Sequence, residues 1–88
     1  MKPEINPLMD RELYARAERA AFDVFASSMA MFDRRRRIQL MEKAARDLFR
    51  EAGASSSVAD FYATCITCDL LERAEVLRQR RNSARVNS

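Results

Sequence analysis

The sequence predicts an all-α fold: one three-helix domain with a long first helix, associating as a dimer. Three observations carry that reading. One glycine and two prolines among 88 residues, with 48% hydrophobic and 33% charged side chains, make a composition rich in helix formers. Apolar residues recur at steps of three and four, the period of a helix face. The apolar stripe of the third helix changes direction partway along, which a lone bundle with one inward face per helix does not require. A chain of this length forms a single domain, residues 1–88, and buries roughly 60–65% of its unfolded surface, so its own core is marginal.

Residues 1–6 read as a flexible, extended start, because Pro3 and Pro7 each disfavour helix immediately upstream. Asn6 before Pro7 suits an N-cap and first-turn pair, and nothing interrupts a first helix over residues 7–33. Its seam is Leu13, Ala17, Ala20, Val24, Ser27 and Met31, flanked by Tyr14, Ala21, Phe25, Ser28 and Phe32. A stripe that wide fits a helix packed on more than one neighbour.

The second helix, residues 34–52, carries Ile38, Met41, Ala45, Leu48 and Ala52 on one line. Gly53, the only glycine, stands where a left-handed cap ends a helix. A break or kink somewhere in Met31–Arg36 is expected, Asp33 as N-cap supporting a hinge, with one continuous helix over residues 7–52 as the alternative. Four arginines in a first turn oppose the helix dipole, however, and would suit a last turn better. The third helix, residues 58–81, begins at a capping box of Ser57 and Asp60. Val58, Phe61, Tyr62, Cys65 and Cys68 form its early apolar side, while Leu70, Leu71, Ala74 and Leu77 lie mostly opposite. The switch predicts a homodimer or another partner through helix 3. Residues 82–88 read as a flexible basic tail.

Formal net charge is +3 with a pI near 9.3. It is distributed as −2 over residues 1–33, +5 over 34–50, −4 over 51–72 and +4 over 73–88. Alternating blocks suit contacts between helices or subunits as readily as contacts with phosphate. No stretch has the apolar length of a signal peptide or a membrane span, so a cytoplasmic protein with no membrane partner is expected. Its two cysteines would stay reduced.

The run Arg34, Arg35, Arg36 and Arg37 fans over roughly 300° of helix surface, which prevents all four from lining one groove. Its plainest reading is a solvated helix joint or an intersubunit salt-bridge site; with Met29, Met31 and Phe32 it also forms a candidate protein-docking surface, an apolar patch rimmed by arginine. The alternative is a nucleic-acid surface built from Arg34, Arg35, Arg36 and Arg37 with Arg78, Arg80, Arg81 and Arg85. It is less favoured, because no aromatic residues are interleaved to stack bases. Cys65 and Cys68 form a CxxC with no histidine and no second pair, so they read as small buried thiols rather than zinc ligands. No histidine, phosphate loop or activated serine suggests catalysis. No enzyme, cofactor or metal is expected.

"RRRRIQLMEKAARDLFREAGASSSVADFYA" resembles the opening of the TetR family of repressors: Ile38, Ala45, Leu48, Phe49, Gly53, Ser57 and Val58 sit comparably. The likeness ends there. "TCITCDLLERAEVLRQRR" continues without the turn and recognition helix that such a repressor needs, and membership is rejected. In size, helicity and lack of a DNA-reading motif the chain is similar to the small antiactivators of conjugative plasmids and integrative elements. That architectural resemblance implies a bacterial regulator binding and inhibiting a transcriptional activator, and it transfers no specific residues. A structural subunit or chaperone is the third reading.

Overall fold

In the computed structural model the described residues are 10–30 and 33–86, with backbone alone for 84–86. Three helices follow in order: α1 (Arg11–Ser27), α2 (Arg34–Glu51) and α3 (Ser56–Val86). All described regular structure is helical, as the composition predicts. The first helix is the shortest at 17 residues and the third the longest at 31, whereas the sequence predicts the first to be the longest. Asp10 caps α1, its Oδ1 accepting the Leu13 N–H at 2.9 Å. The expected cap at Asn6 and Pro7 lies outside the described residues. At the other end a turn over residues 28–30 closes α1 before the expected residue 33.

Asp33 caps α2, its Oδ1 accepting the Arg36 N–H at 3.2 Å. Gly53, at φ 103°, closes α2 in a Schellman motif. Its N–H donates to the Arg50 carbonyl at 3.0 Å, and the Ala54 N–H donates to the Phe49 carbonyl, also at 3.0 Å. Only glycine takes that φ without a steric penalty. The Arg50 guanidinium then donates to the Ala54 carbonyl at 3.0 Å. Ser55, not Ser57, begins α3: its hydroxyl accepts the Val58 N–H at 3.3 Å. No breaker follows Arg81, and the helix continues through the expected tail to Val86.

Short connections make α2 antiparallel to both neighbours, and cross-helix contacts set the register. Phe49 lies between Tyr14 and Tyr62, with ring centroids 6.4 and 6.1 Å away. Arg46 reaches Asp60 at 3.6 Å and Arg73 reaches Glu18 at 3.7 Å. Both pairs are exposed and contribute at most about 1 kcal/mol each. The core comprises Leu13, Ala17 and Ala21 of α1, Met41, Ala45 and Phe49 of α2, Ala54, and Ala59, Ala63, Ile66 and Leu70 of α3. Six of these eleven are alanine, so the helices approach closely while burying little apolar area apiece.

The inward face of α3 differs from the expected one. Phe61 is 62% exposed, and Cys65 and Cys68 are exposed free thiols rather than buried ones. Ala59, Ala63, Ile66 and Leu70 face the core instead. At 100° per residue that line continues through Ala74 to Leu77 without rotating. What changes along α3 is its cover, because Leu70 is the last buried residue among those described. Beside this line the Thr67 hydroxyl is buried and finds no hydrogen-bond partner among the described residues.

Candidate functional site

The junction of α1 and α2 divides the arginine run by position. Arg37, the residue directly after the Asp33-capped Arg36 N–H, turns back onto α1. Its Nη2 donates to the Phe25 carbonyl at 3.0 Å and its Nε to the Ser28 hydroxyl at 3.1 Å. Nη2 also meets the Met29 sulfur, and the guanidinium carbon stands 4.2 Å from the centroid of the Phe25 ring. Ser28 is buried, and its own hydroxyl donates to the Phe25 carbonyl at 3.3 Å. Arg37 therefore satisfies the carbonyl end of α1, where a cation complements the dipole. Its sequence position is the start of α2, but its spatial position is the end of α1. That resolves the conflict between the dipole and the Asp33 cap for this one arginine.

Arg34, Arg35 and Arg36 have no such outlet. All three are exposed, and no ion pair among the described residues includes them. They remain at the positive end of α2, where each cation is disfavoured by about 0.3–1 kcal/mol. Three residues fan over about 200°, forming a corner rather than a flat strip. Met29, 64% exposed, meets the Arg37 guanidinium through its sulfur instead.

Of the residues assigned to docking from sequence, the structure leaves Met29, Arg34, Arg35 and Arg36 exposed. Arg37 is engaged inside the chain and is a structural clamp rather than a free contact. Met31 and Phe32 lie outside the described residues. Of the tail arginines, Arg78 is paired with Glu75 at 2.8 Å, Arg80 and Arg81 are exposed, and the Arg85 side chain lies outside the described set. The up-down-up order places the α2 start and the α3 end toward the same end of the bundle.

Phe22, 48% exposed, was not singled out from sequence. Its signal was available: it stands about 180° from Leu13 on the α1 wheel, where an aromatic residue has no core to enter. Cys65 and Cys68 share the exposed side of α3, and the described residues contain no group of three or more potential metal ligands. Tyr14, half-buried against Phe49, has its phenol pushed above the ordinary value of 10.0 by burial first and then by Glu18, Cys65 and Asp69. No described helix is long and apolar enough to cross a membrane. Helix α3 runs unbroken where a TetR-like chain would turn into its recognition helix. No protein-family model, curated protein or solved structure matches the chain.

Proposed function

We propose that this chain is a non-enzymatic cytoplasmic regulator that acts by binding another protein, an antiactivator that occupies a transcriptional activator. One observation supports the reading above others: Arg34, Arg35 and Arg36 stand exposed at a helix N-terminus that disfavours them, while the chain answers only Arg37. A charge arrangement that lowers the stability of its own helix is accounted for by a gain outside the chain. Carboxylates on a partner, meeting these forked guanidinium groups, supply that gain. A second copy held through α3 presents the corner twice.

The test is capture from the native host at moderate salt, with and without nuclease, using the wild-type chain and an Arg34→Ser/Arg35→Ser/Arg36→Ser variant. The expected result is a stoichiometric activator that survives nuclease and is lost by the variant, whose far-UV helicity is unchanged. Capture of nucleic acid, with proteins vanishing on digestion, overturns the reading.

Nucleic-acid binding is the second reading, favoured by both basic blocks lying toward the same end of the bundle. It requires affinity for duplex DNA or RNA that falls with salt in proportion to the phosphates contacted. It also requires that affinity to persist at physiological ionic strength.

A further inference from the structure

We propose that Cys65 and Cys68 form a two-thiolate site on the outer face of α3 that takes one copper(I) ion. Both are exposed free thiols. They stand three residues apart within α3, so they lie on one face of successive turns. The two residues between them, Ile66 and Thr67, are both buried. That inner pair anchors the turn in the core and fixes the direction in which the two sulfurs leave it, opposite the line of Ala59, Ala63 and Leu70. Phe61, also exposed, stands one turn earlier on the same face as the thiols and gives them an apolar neighbour.

Spacing and coordination number select the occupant. Neighbouring positions on a helix face hold their Cβ atoms about 5–6 Å apart, whereas a disulfide needs them about 3.5–4.5 Å apart. A direct S–S bond must therefore contract a turn whose inner side is packed through Ile66 and Thr67. An ion between the sulfurs spans the gap with the turn as it stands. Zinc takes four ligands, and among the described residues no third cysteine or carboxylate joins the pair to make a larger group. Copper(I) is a soft ion that thiolates select, and two of them satisfy it. Loading transfers no electron: one copper(I) enters, two S–Cu bonds form, and each thiol gives up its proton to solvent. The bridge ties one turn of α3 to the next, and an ion held only by the folded chain stabilises it by mass action. The site lies on a different helix from the arginine corner and is independent of what docks there.

Copper(I) titration of the reduced full chain without oxygen, in competition with a chromophoric copper(I) chelator, tests the proposal. One ion per chain is expected, with two sulfur neighbours in copper-edge X-ray absorption, a raised unfolding midpoint and an oligomeric state unchanged by the ion. Cys65→Ser and Cys68→Ser alter exposed positions, so helicity is retained while the affinity falls about tenfold or more. A Cys68→Ser/Ser57→Cys chain keeps two thiols but sets them about 12 Å apart along the helix, and it is expected to bind no better than the single-cysteine chains. Wild-type affinity no tighter than that of Cys65→Ser, or equal affinity in the respaced chain, overturns the two-thiolate site. One ion per two chains, with four sulfur neighbours, assigns the thiols to a site shared between copies and overturns the one-chain site. A Cys65–Cys68 disulfide forming in a glutathione buffer of cytosolic poise overturns the choice of an ion over an S–S bond.

Discussion

Replacing Arg37 with alanine removes the charged hydrogen bonds to the Phe25 carbonyl and Ser28 hydroxyl, together with the cation over the Phe25 ring. A hydrogen bond involving a charged group contributes about 1.5–3 kcal/mol. The cation–π contact adds about 0.5–1 kcal/mol at an accessible site. Arg37 is only half-buried, and water can replace part of what is lost, so the net cost is about 2–3 kcal/mol. In a domain of this size, a loss of that order lowers the midpoint of thermal unfolding by roughly 10–20 °C. Arg35→Ala, two residues earlier, removes no described partner and relieves a cation at the positive end of α2. Its effect is within about 0.5 kcal/mol of zero or slightly stabilising. Urea unfolding followed by circular dichroism at matched protein concentration reads both variants on one scale. Equal effects from the two substitutions would refute the division of the run into one clamp and three free arginines.

Phe49→Ala should cost about 3–5 kcal/mol, because Phe49 is fully buried between two tyrosines. Leu48→Ala, at a partly buried neighbour, should cost clearly less, and a reversed order by denaturant titration would mean that the inward face of α2 is misassigned. Thr67→Val exchanges a buried, unpartnered hydroxyl for a methyl group of similar size, and stability should hold or rise by about 1 kcal/mol; a loss above that would show the hydroxyl to be bonded. The Tyr14 phenol has a higher pKa in the folded chain than in the unfolded one. The folded chain therefore holds this proton more tightly. Its contribution is fully present below the ordinary tyrosine value and is lost as pH rises through the folded value. Tyr14→Phe should flatten that alkaline fall in unfolding midpoints, and an unchanged slope would assign the fall to other groups.

Three helices, the Asp33 cap and the Gly53 stop were legible because each rests on local chemistry: a short acceptor before a helix, and the one residue without a Cβ after it. The α3 face was misread because Phe61, Cys65 and Cys68 outweigh alanine on any hydrophobic scale. Here the alanines pack at the centre and the larger side chains stand outside. Close helix approach selects for small residues, which a pattern of large apolar side chains does not reveal. The start of α1 at Asp10 was missed because Asn6 offers a comparable cap chemistry. The candidate site was half legible. Exposure of Arg34, Arg35 and Arg36 follows from a run too wide for one groove. The diversion of Arg37 depends on a carbonyl twelve residues earlier, brought near only by the turn between helices. The continuous line to Leu77 was in the sequence throughout, but recognising it required knowing that Ala59 and Ala63 define the inward direction.

The most direct measurement of the central claim is the affinity of the captured protein partner for purified wild-type and Arg34→Ser/Arg35→Ser/Arg36→Ser chains, by calorimetry in nuclease-treated buffer. A dissociation constant weakened about tenfold or more, with folded stability preserved, is the predicted result. Equal affinity for the two chains would contradict it and remove the arginine corner from the binding surface.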